Sequence, residues 1–285
     1  MKHDNLTDFL TFARRGLASP GPYAIVLIED DCEVASTIAH VQAAGFSEVL
    51  AFGHVDLLPP DADALHVIAY DMHQSGALEK VINGVIAACP NIWMHYCFNA
   101  EYLFFPFSET RTVRELTLFA AEERRDAVLT FLVDLYSNNL GTHPNGVSRD
   151  AAHFDRDGYY ALQRFEDGQR LERQLDFFGG LHWRFEEHIP YEKRRLDRVG
   201  LFRAQKGLVF YPDHRFNIPE YNTYACEWHH NATATICSFR AAKALTTNPG
   251  SRHEIGHFWW QHSERFEWRA QQLMTLGLME PGQWF

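Results

Sequence analysis

The chain has little cysteine: five residues in 285, none of them in a Cys-x-x-Cys pair. Cys32, Cys89, Cys97, Cys226 and Cys237 supply neither a disulfide framework nor a cysteine-rich zinc site, and a reducing cytoplasm is the simpler expectation. No apolar run reaches membrane-spanning length, so no transmembrane helix is expected. Residues 1–16 carry charges throughout and lack the apolar core of a signal peptide. Basic excess is missing too. Lys and Arg number 26 against 37 Asp and Glu, and the net charge of −11 argues against nucleic acid as a partner. There is no internal repeat and no low-complexity segment. What the chain does have is 46% hydrophobic residues, enough for a full core in one large domain. Aromatic residues make up 14% and gather after residue 90, as a Phe-rich core or a sugar- or base-stacking platform would require.

The first half alternates strand and helix patterns. Ala24–Ile28 is a short apolar run of buried-strand type ending in Glu29-Asp30-Asp31. Val34, Ile38 and Val41 fall at helical spacing, with Asp30 or Asp31 as the natural N-cap and Gly45 as the stop. Glu48–Phe52 and Leu65–Tyr70 read as further strands, the second ending at Asp71, and Leu78–Ala88 as a helix. Ile92–Phe98 is a strand running into Asn99-Ala100-Glu101. Thr112-Val113-Arg114-Glu115 is a capping box that starts a helix to about Arg125, and Ala127–Val133 is a strand ending at Asp134. This order predicts an α/β fold with a mostly parallel, doubly wound sheet over residues 20–137.

The second half predicts a mixed α+β elaboration. Residues 137–173 read as a long polar loop with short helices, and residues 177–185 as a hairpin or flap around Gly179-Gly180. Residues 199–211 suggest two short strands around Lys206-Gly207, and residues 252–280 a helical segment. The division expected is 1–137 and 138–285, within one continuous domain.

Ligands of parallel α/β sheets bind beyond the carboxyl ends of the strands. Glu29, Asp30, Asp31, Asp71, Asn99, Glu101 and Asp134 all fall at such ends. Hard oxygen donors gathered there suit Mg²⁺ or Mn²⁺ carrying a diphosphate, although Asp also favours strand-to-helix turns simply as a cap.

Four segments in order carry a resemblance: Ile28-Glu29-Asp30, Ala44-Gly45-Phe46-Ser47-Glu48-Val49, Trp93…Asn99-Ala100-Glu101-Tyr102-Leu103-Phe104-Phe105-Pro106, and Val133-Asp134-Leu135-Tyr136-Ser137. Together they resemble the bacterial family 2 glycosyltransferases of GT-A fold, well over residues 22–137 and loosely beyond. The resemblance implies a GT-A-like, Rossmann-like sheet and transfer of a sugar from a nucleoside-diphosphate sugar to a glycan or lipid-linked acceptor. Residues 1–137 would hold the nucleotide sugar and 138–285 the acceptor. It implies donor binding by Glu29, Asp30, Asp71, Asn99 and Glu101, and Mn²⁺ or Mg²⁺ at Asn99 and Glu101. That pair stands where the family has Asp-x-Asp, a degenerate form with one neutral donor. Asp134, Glu186 and Glu187 are the candidate bases. Arg184, Lys193, Arg194 and Arg195 could neutralise a diphosphate or form an exposed charged stretch. A cytoplasmic setting, with peripheral contact at the inner face of the membrane, suits a lipid-linked acceptor.

Two other readings stand beside this one. The first is a relative that binds nucleotide or sugar with weakened catalysis. The second is a zinc hydrolase, because His253-Glu254-Ile255-Gly256-His257 matches HExxH, which on a helix puts both His on one face. Cys226, His229, His230 and Cys237 fit no standard metal spacing and read as core.

Overall fold

The computed structural model describes residues 1–17, 19–60, 62–224 and 231–284. In chain order the elements begin with β1 (Lys2–His3), α1 (Leu6–Ala13), β2 (Tyr23–Ile28), α2 (Val34–Ala43), β3 (Glu48–Gly53), β4 (Leu65–Ala69), α3 (Ala77–Ala88) and β5 (Trp93–Phe98). Next come β6 (Glu101–Phe104), α4 (Val113–Glu122), β7 (Ala127–Asp134), β8 (Tyr136–Ser137), β9 (Ala152–Asp155), β10 (Tyr160–Glu166), β11 (Gln169–Phe178) and α5 (Gly180–Arg184). The chain closes with β12 (Asp197–Arg203), β13 (Ala234–Ser238), α6 (Arg240–Thr247), β14 (Ser263–Arg265) and α7 (Ala270–Thr275).

A mostly parallel sheet flanked by helices forms the centre, with nine strands in the order β1-β4-β3-β2-β5-β12-β7-β13-β6. β2 pairs in parallel with β3 and β5, β3 with β4, β4 with β1, and β7 with β13. β12 runs antiparallel to β5. Every residue of β2 and β3 is buried, as expected for strands covered on both faces. Gly45 ends α2 at φ +92°, where a Cβ would also crowd Thr112 at 3.1 Å. The capping box is formed: Thr112 N–H donates to Glu115 Oε2 at 2.7 Å, and Glu115 N–H to Thr112 Oγ1 at 3.4 Å. The expected cap of α2 is not formed. Glu33, left-handed at φ 55°, holds the N-cap position, and Asp30 accepts the Cys32 N–H instead.

Three expectations fail in the second half. Residues 137–173 contain β9, β10 and much of β11 rather than a loop with short helices. Asp167 and Gly168, both at positive φ, make the two-residue turn between Glu166 and Gln169 that a twisted hairpin favours. Residues 199–211 hold one strand rather than two, the last five residues of β12, together with an isolated bridge from Phe210 to Phe216. Residues 252–280 are mainly turns and irregular chain, with β14 and the six-residue α7. The Ser251 hydroxyl donates to Leu245 O at 2.7 Å and closes the chain over the end of α6. Ile255 and Phe258 then enter a core cluster with Tyr136, Leu181 and Leu245, so tertiary burial overrides helical spacing there.

The chain divides into two compact units, one of Met1–Leu103, Thr110–Leu129 and Val199–Asn222, the other of Phe104–Glu109, Thr130–Arg198 and Thr223–Phe285. The first unit's core gathers residues of β2, β3 and β5 with Phe9, Val81, Val85, Phe202, Phe210 and Phe216. Cys89 and Cys237 are buried free thiols. Among the described residues, no helix is long and apolar enough to cross a membrane.

Candidate active site

In the first unit the strand ends are tied together by one amide. β5 stops at Phe98, and Asn99-Ala100 turns into β6, with Ala100 at φ 64°. The Asn99 Oδ1 accepts the Glu29 N–H at 2.9 Å. Its Nδ2 donates to Asp30 Oδ1 at 2.6 Å and to Cys32 O at 2.8 Å. Asp71 Oδ1 accepts the His73 N–H at 2.9 Å, and the His73 ring bonds Glu29 O through Nε2 at 2.8 Å. Glu29, Asp30, Asp71 and Asn99 therefore meet at one sheet edge. Glu101 folds back on its own turn, where its Oε2 accepts the Phe98 N–H at 2.9 Å.

Asn99 and Glu101 are both fully buried, and each turns an oxygen toward a backbone N–H. A donor dipole at each oxygen opposes a cation there. Nor is there, among the described residues, any group of three or more His, Cys, Asp and Glu placed to hold a metal ion. The pair does not fit a divalent ion as its ligands.

The second unit holds a different constellation. β7 delivers Asp134 at its carboxyl end, in register with Ser238 of β13 and almost wholly buried at 1% exposure. One carboxylate oxygen, Oδ2, faces the His182 ring Nδ1 at 2.8 Å and accepts the His182 N–H at 3.2 Å. The other, Oδ1, is buried with no hydrogen-bond partner among the described residues. The Tyr159 hydroxyl is also buried, again without a partner among the described residues. Burial, and next the charge of Asp155 and then of Asp134, hold Tyr159 well above the ordinary phenol range, so it stays protonated as a donor.

Two glycines bring these groups together. At Gly180, φ +57°, a Cβ would lie 2.7 Å from Asp134 Oδ2. At Gly179, φ +153°, a Cβ would overlap the Tyr159 ring. The Gly179-Gly180 pair thus serves close approach of backbone to a carboxylate and a ring.

Beside Asp134 lies a satisfied network. Asp155 accepts from Tyr136 OH at 2.5 Å, Trp260 Nε1 at 2.8 Å and Arg184 Nε at 2.8 Å. Burial pushes the Asp155 carboxyl pKa up, against the opposing pull of Arg184 and these hydrogen bonds. The Arg184 guanidinium also stacks 4.9 Å from the Trp260 ring centroid. This network braces α5 and leaves Arg184 engaged with protein groups.

The other expected bases have partners of their own. Glu186 pairs with Arg194 at 2.8 Å, and Glu187, 61% exposed, lies 3.8 Å from His188. The HExxH residues lie in turns and irregular chain, which corrects the helical zinc reading. His253 Nε2 accepts from Arg252 Nε, the His257 ring bonds Trp259 O, and Glu254 faces His188 at 3.6 Å. His253 and His257 thus lack the helical face that would present them jointly to zinc. Cys226, His229 and His230 lie outside the described residues.

Sequence reading found Asp134 but missed His182 and Tyr159. Their only local signal is the adjacent Gly pair, which reads equally well as a flap. A scan against protein-family models finds no match, and a search of curated proteins finds none.

Proposed function

We propose that this chain is a GT-A-like glycosyltransferase, which moves a sugar from a nucleoside-diphosphate sugar to a hydroxyl of a glycan or lipid-linked acceptor. The observation that carries the reading is the buried Asp134 carboxylate at the end of parallel β7, with one oxygen that has no hydrogen-bond partner among the described residues. A buried acceptor without a partner costs on the order of 1–3 kcal/mol, a cost that an incoming hydroxyl would relieve. The resemblance of residues 22–137 to family 2 supports the same reading. On the donor side, the Glu29, Asp30 and Asp71 carboxylates suit ribose hydroxyls or base N–H groups. With a lipid-linked acceptor, the chain would work in the cytoplasm at the inner face of the membrane.

In the reaction, the acceptor oxygen forms a bond to the anomeric carbon as the bond from that carbon to the diphosphate oxygen breaks. The electron pair leaves with the nucleoside diphosphate, and the acceptor proton passes to a base on the protein. The geometry of Asn99 and Glu101 gives no support to their holding the cation that the resemblance implies. That geometry favours a second reading, a relative that binds nucleotide sugar without turning it over.

A thermal-shift panel of nucleoside diphosphates and their sugars tests both. Ligand at about 100 times Kd adds roughly 2.7 kcal/mol to stability and raises Tm. We expect one nucleotide class to shift Tm in wild type and in Asp134→Asn. We expect slow hydrolysis of its sugar in wild type alone. A shift without turnover selects the binding relative, and no shift with any compound removes both readings.

A further inference from the structure

We propose that His182, and not Asp134, is the group that takes the acceptor proton, with Asp134 fixing which ring nitrogen carries hydrogen. The assignment rests on the glycosyl-transfer reading for its substrate, but on local geometry for its chemistry. The Asp134 Oδ2 receives two contacts from one residue, the His182 backbone N–H at 3.2 Å and ring Nδ1 at 2.8 Å. An ionised carboxylate only accepts, so Nδ1 must carry the proton. In the singly protonated ring Nε2 then holds the lone pair. Among the described residues Nε2 has no hydrogen-bond partner, although His182 is mostly buried, with its side chain 14% exposed.

The surroundings fix this arrangement. Gly180 admits the Asp134 oxygen beneath α5, and no residue with a Cβ would. On the next turn of chain Arg184 is anchored by Asp155, with Tyr136 and Trp260 closing that carboxylate. The groups around the pair are thus Asp134, Asp155, Tyr136, Tyr159 and Arg184. Among the described residues, neither the Tyr159 hydroxyl nor Asp134 Oδ1, both buried, has a hydrogen-bond partner. The Nε2 lone pair of a singly protonated ring can accept a hydroxyl proton. In the step proposed, the acceptor O–H bond breaks toward Nε2 and the new C–O bond forms as the bond from the anomeric carbon to the diphosphate oxygen breaks, its electron pair leaving with the nucleoside diphosphate, and the ring becomes an imidazolium facing Asp134.

Two measurements on the full chain test this. In wild type, nitrogen NMR of His182 should report Nδ1 protonated and Nε2 unprotonated near neutral pH, with that preference lost in Asp134→Ala. A wild-type ring protonated at Nε2 alone overturns the proposal whatever the substrate. The second is kinetic. His182→Asn keeps an amide donor where Nδ1–H stood, and so should melt like wild type. It should lower kcat for transfer or donor hydrolysis by about 10²- to 10⁴-fold, with KM for the nucleotide sugar within about twofold. Unchanged kcat in that variant overturns the assignment. If wild type turns over no nucleotide sugar, the transfer reading falls, while the NMR result still judges the imidazole.

Discussion

Asn99 acts as a neutral connector with both ends of its amide in use. Its oxygen holds the Glu29 N–H, and its nitrogen holds Asp30 and the Cys32 carbonyl. Changing Asn99 and Glu101 to Asp, as a metal-binding pair would need, removes both donations and sets a carboxylate against Asp30. We expect that double variant to lose about 1–3 kcal/mol in urea unfolding. Mn²⁺ should not tighten its nucleotide binding. An unchanged urea midpoint together with Mn²⁺-dependent tightening would sink this account. The position of Asn99 at a strand tip was legible in the sequence, because an apolar run stopping at a polar pair marks such a tip. Its bonding was not, since the partners lie about 70 residues away on the turn after β2. Asp134 was likewise legible as a strand end, whereas its partner at position 182 depends on how a distant loop returns.

At the scale of elements, the two-residue β1 is held to β4 by titratable groups. His3 Nε2 and His66 Nδ1 lie 3.1 Å apart, and His66 Nε2 lies 3.4 Å from Glu48 Oε2. All three side chains are buried. Burial, and then the charges of His3 and the N-terminus, push His66 down from 6.5 to about 4. Between those values the unfolded chain binds the proton and the folded chain does not. The stability linked to His66 is therefore fully present above pH 6.5 and is lost as pH falls toward 4. A shift of that size corresponds to roughly 3 kcal/mol. His3, also lowered by burial, adds in the same direction. Burial raises Glu48, whose contribution instead declines as pH rises from 4.5. Comparison with His66→Gln isolates the His66 share. Between pH 7 and 4, wild type should lose about 3 kcal/mol more than that variant in urea unfolding, and parallel curves would count against the mechanism. β1 itself was illegible, because two residues show no periodicity. Apart from β6, which was not read as a strand, the helices and strands from β2 to β7 were readable because apolar spacing matched their periods. The β10–β11 hairpin escaped notice because polar and charged residues at about half of its positions mask its alternation, although Asp167-Gly168 was a usable turn signal.

For the whole molecule, the pattern that suggested a divide at residue 137 missed a return of the chain. Val199–Asn222 belongs to the first compact unit. There Leu201, Phe202 and Arg203 pair with His95, Met94 and Trp93 of β5. Phe202, Phe210, Phe216 and Tyr221 enter the core cluster built by the N-terminal strands and helices. Phe202 and Phe216 lie 4.7 Å apart, Tyr96 and Phe210 5.2 Å. Asn83 closes the segment with reciprocal bonds to Phe210 O at 3.0 Å and Phe210 N at 2.8 Å. Four aromatic side chains at about 1.5–3 kcal/mol each amount to roughly 6–12 kcal/mol, which is comparable to the net stability of a domain. A fragment of residues 1–137 would carry the parallel strands β1 to β5, without β7's parallel partner β13, and would lack this covering. We expect it to bind hydrophobic dye and to melt without cooperativity. Joining residues 199–222 to it through a flexible linker should restore a cooperative transition and reduce dye binding. If the fragment melts cooperatively without that segment, the four aromatics contribute much less than their burial implies, and the first half folds on the strength of its local pattern alone.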